Sequence, residues 1–257
     1  MRILILLLAL AMPVIAYFTN TGTFGPDNGS MSARYPTLLI AAGYAFAIWG
    51  LIFLLDIAFA IWQLSGSRKQ DPTLSRIAPF AAAGFACTTL WMPMFAQGQF
   101  WLCLLLIFAA FALLLRCALI LSHDHTPQRG QWMWAWAPLS LHAGWLALAA
   151  FLNAAQVIVA YKLLPIDNML PWSLVLFAIG ATVLLYFNHR MRGNIAFSLA
   201  AVWALIAVYV KQHDAALPGS TVAAWVAIAI AVVLVLQTLF LRARYPGGVL
   251  PNAARAS

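Results

Sequence analysis

The ionisable side chains deep inside apolar segments are the residues of this sequence best placed to do chemistry. Asp56 lies within the apolar run 37–64, and the chain contains no glutamate. A carboxylate in hydrocarbon costs on the order of 3 kcal/mol unless it faces a cavity or a partner. Arg116, in the run 100–121, is predicted at a similar depth, so the two side chains could form an interhelical ion pair. Alternatively, Arg116 reaches the headgroups and Asp56 makes only a hydrogen bond between helices.

His142 is the one histidine predicted in the middle of an apolar run, at 137–161. A neutral imidazole there could ligate a haem iron or relay a proton, or it could be a packed and hydrogen-bonded core residue. The sequence has no paired carboxylates and no HExxH or GxSxG motif. Neither a metal cluster nor an intramembrane enzyme is therefore indicated.

Tryptophan is unusually frequent, with 11 residues in the chain. Those near the ends of apolar runs fit the interfacial belt in which tryptophan is enriched. Trp49, Trp91, Trp145 and Trp203 instead lie within runs, where indoles either fill core volume or wall a pocket for a flat ligand. Spacing alone leaves both interpretations open.

These residues are carried on a chain of 257 residues, of which 65% are apolar and 8% are charged. A helix needs roughly 20 apolar residues to cross a hydrocarbon core about 30 Å thick. We therefore predict an all-α, polytopic transmembrane bundle of about eight spans with almost no soluble mass. The apolar runs are residues 3–19, 37–64, 77–96, 100–121, 137–161, 170–187, 194–211 and 221–241.

The net charge of +8 is explained better by membrane topology than by nucleic acid, because the basic residues form no patch with interleaved aromatic residues. Eight crossings place most of them on one side, which the positive-inside rule makes cytoplasmic. We therefore predict a multi-pass protein of a bacterial inner membrane, in contact with lipid and with both termini in the cytoplasm. The basic side holds Arg2, Arg68, Lys69, Arg76, Arg116, Arg129, Arg190, Arg192, Arg242, Arg244 and Arg255, and the other side holds Arg34, Lys162 and Lys211.

Three segments, taken in order, resemble the TspO/MBR family of tryptophan-rich sensory proteins, or translocators. They are YPTLLIAAGYAFAIWGLIF in the second run, WMPMFAQG in the third and GWLALAAFLNAA in the fifth. Trp49 and Phe53 match a tryptophan followed four residues later by an aromatic residue. Trp91 begins the third-helix motif, and Trp145 is followed eight residues later by Asn153, as in the family's fifth helix.

The resemblance covers residues 1–165 and implies a five-helix bundle there, with residues 166–257 as a three-helix membrane extension. It also implies a pocket enclosed by spans one to five and closed by the outer loop from Asn20 to Tyr35. The ligand-binding residues implied are Tyr44, Trp49, Phe53, Trp91, His142, Trp145 and Asn153.

The function that follows from the resemblance is binding of porphyrin, haem or another flat apolar ligand, in sensing or in transport, with no cofactor required. The alternative is a small-molecule or proton-coupled transporter in which Asp56 and Arg116 form a charge gate. The sequence leaves the physiological ligand and the formation of a homodimer open.

Overall fold

The computed structural model describes residues 1–245, and these contain nine α-helices and no strand. Eight helical segments are long and apolar enough to cross a membrane, so the prediction of an all-α bundle with eight spans is confirmed. The chain is an integral, multi-pass membrane protein. Arg255 and the end of the predicted segment 166–257 lie outside the described residues. The helices are α1 (Arg2–Asn20), α2 (Asn28–Arg34), α3 (Ile48–Trp62), α4 (Pro72–Ala96), α5 (Phe100–Ser122), α6 (Ala137–Ala160), α7 (Leu170–Arg190), α8 (Ile195–His213) and α9 (Ser220–Arg244).

Side-chain caps define where several helices begin. The Asp71 carboxylate accepts a hydrogen bond from the Leu74 N–H at 2.8 Å, and Pro72 occupies the first helical position, where its missing N–H has no consequence. These signals start α4 five residues before the apolar run predicted for it. Asn194 caps α8 in the same way.

The second apolar run is not helical throughout. Residues 37–42 are irregular, and the helix begins only after a 3-10 turn at Gly43–Ala47. Buried irregular backbone needs hydrogen-bond partners. The Gln212 side chain of α8 supplies them, since its amide nitrogen donates to the carbonyl oxygens of Thr37 at 3.0 Å and Ile40 at 3.1 Å. This segment is therefore fixed to the seventh span.

The sixth and seventh spans pack directly on the fifth, and the eighth span packs on those two. Gly144 of α6 lies against the backbone of Phe197 in α8, and a Cβ atom at this glycine would stand 2.2 Å from the Phe197 carbonyl oxygen. A Cβ atom at Gly180 of α7 would lie 3.4 Å from the ring of Phe151 on α6, which is an ordinary contact distance. Glycine at position 144 thus allows the α6 and α8 backbones to touch.

Candidate functional site

Three of the tryptophans predicted to bind a ligand converge. The centroid of the Trp49 ring lies 6.5 Å from that of Trp91 and 5.9 Å from that of Trp145. Trp91 also stacks on Phe95 at 4.8 Å and 19°. Aromatic rings at such separations stabilise one another beyond the area they bury. Spans two, three and five therefore contribute to one aromatic cluster.

A cavity of about 50 Å³ lies against this cluster, and nearly all of its wall is apolar. We call it the aromatic cavity. The resemblance implied a pocket enclosed by spans one to five, but later spans also line this cavity. Span one contributes no lining residue, whereas α7 supplies Phe177, α8 supplies Leu205 and α9 supplies Ile230. Ser32 and Leu39, from the connection between spans one and two, also line it.

Asn153 binds the indole of Trp91 rather than standing free in the cavity. Its side-chain oxygen accepts a hydrogen bond from Trp91 Nε1 at 2.7 Å, and its amide nitrogen donates to Gln156 Oε1 at 3.0 Å. The Gln156 amide then donates to Ser32 Oγ at 2.8 Å. This buried chain of hydrogen bonds fixes the Trp91 ring and ties α6 to α2.

Trp145 differs from Trp91 because its donor is unused. Trp145 Nε1 has no hydrogen-bond partner among residues 1–245, although the residue is only 4% exposed and lines the aromatic cavity. Buried indole N–H groups normally find an acceptor, and a buried donor without one costs about 1–3 kcal/mol. An acceptor atom on a bound molecule would satisfy this group.

Asp56 finds its partner in His142. The two residues are fully buried, and His142 Nδ1 lies 2.8 Å from Asp56 Oδ2. Arg116, the partner predicted from depth along the helices, has an exposed side chain and makes no ion pair within the part of the chain described. The structure therefore does not bring Asp56 and Arg116 together, and a transporter gated by that pair stays a prediction without geometric support.

His142 lies beneath the aromatic cluster and does not line the cavity. Its ring meets Trp49 edge-on at 5.7 Å, and its Nε2 atom lies 3.5 Å from the hydroxyl oxygen of Thr88. The Thr88 hydroxyl donates its hydrogen to the Gly84 carbonyl oxygen at 3.0 Å. It therefore does not donate to His142, as a nucleophile activated by a histidine base would. The contact with Asp56 fixes the orientation of the imidazole, and the imidazole packs against the Trp49 ring.

The two remaining predicted residues, Tyr44 and Phe53, lie outside the aromatic cavity. Tyr44 is 43% exposed and meets Trp203 edge-on at 5.3 Å. Phe53 stacks on Trp49, with the ring centroids 5.4 Å apart, and lines a separate cleft. Only Trp49, Trp91, Trp145 and Asn153 of the predicted set line the cavity itself.

The separate cleft, which we call the lateral cleft, has a volume of about 460 Å³ and is formed mainly by α1, α2 and the start of α3. Pro13, Asn28 and Gly50 are among its lining residues. Trp49 and Phe46 line both this lateral cleft and the aromatic cavity. These two rings therefore form the partition between the two spaces.

Sequence motifs did not identify the contribution of the later spans to the site. Phe177, Leu184 and Leu205 line the cavity but occur in apolar runs with no motif around them. Within residues 1–245 there is no group of three or more His, Cys or Asp side chains arranged to hold a metal ion. Besides the tryptophans, the polar side chains that line the cavity are Asn153 and Ser32.

The sequence was compared with known proteins. No curated protein and no solved structure matches it. The sequence model of a family described as TSPO-like protein matches residues 2–240. This match runs through seven spans and into α9, so it includes the part of the chain beyond residue 165, which the motifs did not cover. The family resemblance is confirmed: the chain belongs to the family of TSPO-like proteins.

Proposed function

We propose that the protein binds a flat, largely apolar molecule of the tetrapyrrole class at the aromatic cavity. The observation that carries this proposal is the unpartnered N–H of Trp145 in a cavity walled mostly by aromatic and aliphatic side chains. The other polar side chains of the wall, Asn153 and Ser32, already take part in hydrogen bonds within the protein. Indole faces suit a conjugated ring because they offer area with little conformational entropy to lose. One donor in an apolar wall would orient a ligand that carries one acceptor at its edge.

Ligand entry requires the aromatic cavity to enlarge. Its volume of about 50 Å³ is enough for a few water molecules, whereas small-molecule sites usually offer about 300 to 1,000 Å³. The lateral cleft beside it has about 460 Å³. Movement of Trp49 and Phe46 would join the two spaces, and the joined volume falls within the usual range. We propose that a ligand enters by this route.

The proposal is tested by titrating the purified protein with protoporphyrin IX and following the porphyrin absorbance and tryptophan fluorescence. Trp145→Phe keeps an aromatic ring and removes the N–H donor together with the five-membered part of the indole. A neutral hydrogen bond contributes about 0.5–1.5 kcal/mol, so the Kd is expected to rise roughly two- to tenfold. Trp225→Phe is the matched control, because Trp225 is 57% exposed on α9 and does not line the cavity.

Two results would count against binding at this site. One is the absence of saturable binding for any tetrapyrrole tried. The other is an equal Kd for wild type, Trp145→Phe and Trp225→Phe, which would place the porphyrin elsewhere on the protein.

We also propose that both termini face the cytoplasm. The described basic residues gather at the end of the bundle where Arg2 donates to the Gln63 carbonyl oxygen at 3.0 Å, and positive charge favours the cytoplasmic side. A cysteine introduced at exposed Ser67 is expected to react with a membrane-impermeant maleimide in inverted vesicles and not in right-side-out vesicles. A cysteine at Asp167, on the opposite side, should react in the reverse order.

A further inference from the structure

A third space, with a volume of about 460 Å³, lies at the basic end of the bundle, apart from the aromatic cavity and the lateral cleft. We call it the basic cavity. Its walls come from the start of α4, the end of α5, the loop that follows α5 and the end of α7. The ionisable residues that line it are Arg76, Arg116, His123, Asp124, His125 and Arg190.

The acidic side chains at this end are already occupied by uncharged donors. The Asp124 carboxylate accepts hydrogen bonds from the Thr126 N–H at 3.0 Å and from Gln131 Nε2 at 2.6 Å. Asp71, which caps α4, accepts a further hydrogen bond from Gln128 Nε2 at 3.0 Å. Neither carboxylate forms a salt bridge with an arginine in the described residues. Because three arginines and one aspartate line the cavity, its net charge stays positive, and none of these arginines is held in an ion pair in the described residues.

The guanidinium groups also keep their donors. Arg76 and Arg116 make no hydrogen bond within residues 1–245, and Arg190 makes one, to the Tyr186 hydroxyl at 3.0 Å. Each guanidinium carries five N–H donors in a planar fork that matches phosphate oxygens. Three arginines from three helices that line one cavity thus provide most of what a phosphate group needs.

One part of the cavity wall is apolar and comes from a membrane-spanning helix, α5. Leu119 and Ile120 line it beside Arg116, and Arg116 lies six residues before the end of α5, or about 9 Å at helical rise. Basic pockets between transmembrane helices are typical sites for anionic lipid headgroups. We propose that the basic cavity binds the phosphate headgroup of an anionic phospholipid. The aliphatic wall then contacts the glycerol and the first acyl carbons.

The positive-inside rule explains on which side these arginines lie, but not why they line a single cavity. Lys69 and Arg129 are exposed at the same end of the bundle and do not line it. They provide a matched control, since their neutralisation removes the same charge from the same face.

The test measures retention of phosphatidylglycerol and phosphatidylcholine by the full-length protein, using native mass spectrometry after release from nanodiscs that contain equal amounts of both lipids. Each arginine near a lipid headgroup contributes about a fivefold preference, so R76Q/R116Q is expected to lower the preference for phosphatidylglycerol about 25-fold. The control K69Q/R129Q should change it less than twofold. An equal loss in the two double variants would show a diffuse surface charge effect and overturn the proposal.

Two further arms separate a lipid from a soluble anion and from a folding defect. Millimolar inorganic phosphate should not displace phosphatidylglycerol. Displacement by phosphate, with the same dependence on Arg76 and Arg116 and no preference between the lipids, would assign the cavity to a free phosphate and overturn the lipid proposal.

If R76Q/R116Q does not fold, R116K and R116Q decide the matter: retention of phosphatidylglycerol should be higher in R116K, and equal retention would contradict a role for Arg116. Porphyrin binding is not needed for any of these measurements.

Discussion

Replacement of Gly144 by alanine tests the contact between the fifth span, α6, and the seventh, α8. The new Cβ atom would lie 2.2 Å from the Phe197 carbonyl oxygen and 2.9 Å from its carbonyl carbon. Ordinary carbon to oxygen contacts are about 3.3 Å or longer, so α6 and α8 must separate by about 1 Å. The obstacle is backbone, which cannot rotate away as a side chain can.

The expected loss of stability follows from two opposing effects. Overpacking of this kind destabilises by about 1–3 kcal/mol, and an immovable neighbour favours the upper end of that range. Alanine is about 1 kcal/mol more favourable than glycine within a helix. Gly144→Ala should therefore lower the free energy of unfolding by about 2 kcal/mol.

Gly50→Ala provides the matched control within the same protein. A Cβ atom at Gly50 would have no neighbour within 4 Å, so this variant should gain up to about 1 kcal/mol from helix propensity. Gly84→Ala should lie between the two, because the neighbour of its Cβ atom is the flexible side chain of Leu114 at 2.8 Å. The stability order is thus Gly50→Ala, wild type, Gly84→Ala and Gly144→Ala, with about 3 kcal/mol between the ends.

Unfolding of the purified protein in mixed micelles with increasing SDS, followed by tryptophan fluorescence, measures this order. Trp145 lies next to the substituted residue, so near-UV circular dichroism reports any separation of the helices. If Gly144→Ala unfolds at the same SDS fraction as Gly50→Ala, α6 and α8 do not approach as described, and the wall that α8 gives to the aromatic cavity is misplaced.

Three further predictions concern the buried pair, the outer connection and the division of the chain. Asp56→Asn keeps an acceptor for His142 and should be more stable by about 1–3 kcal/mol than Asp56→Leu, which leaves the imidazole unpaired; equal unfolding free energies would contradict the pairing. Hydrogen bonds from the Ser30 hydroxyl and N–H lower the pKa of the Asp27 carboxyl. The stability that Asp27 gives over Asp27→Ala should thus be fully present above the ordinary aspartate pKa of about 4 and disappear as the pH falls through the lowered value, as thermal unfolding against pH would show. A chain ended at residue 165 lacks the α7 and α8 walls and should yield no monodisperse protein in detergent by size-exclusion chromatography, whereas a well-folded product would support an independent five-helix domain.

The spans could be predicted from the sequence because long apolar runs have few alternatives in a bilayer. The convergence of Trp49, Trp91 and Trp145 was also implied, by ordered motifs on three helices. Both results depend on local patterns of residues. The start of the second span was misplaced, because the partner that holds residues 37–42 in an irregular conformation, Gln212, is about 170 residues away in the chain.

The partner of Asp56 shows why depth alone is insufficient. Helical rise gives the height of a residue in the membrane, but it does not give the direction in which the side chain points. Arg116 has a suitable height and an exposed side chain, whereas His142 faces Asp56 from α6. Burying a guanidinium costs more free energy than burying an imidazole, because the guanidinium is always charged. The long arginine side chain can also reach water instead.

The attachment of residues 37–42 to Gln212 links one wall of the aromatic cavity to α8, the seventh span. Leu39 and Ala41 of this segment line the aromatic cavity, and α8 carries both the glutamine that holds the segment and Leu205, which also lines the cavity. A guest that spreads these walls must strain or break the two amide hydrogen bonds. If such a guest binds, thermodynamic reciprocity applies: a lipid or protein whose affinity for α8 is changed by the guest would change the affinity for the guest by the same factor. The seventh span would then couple occupancy of the cavity to contacts made outside it.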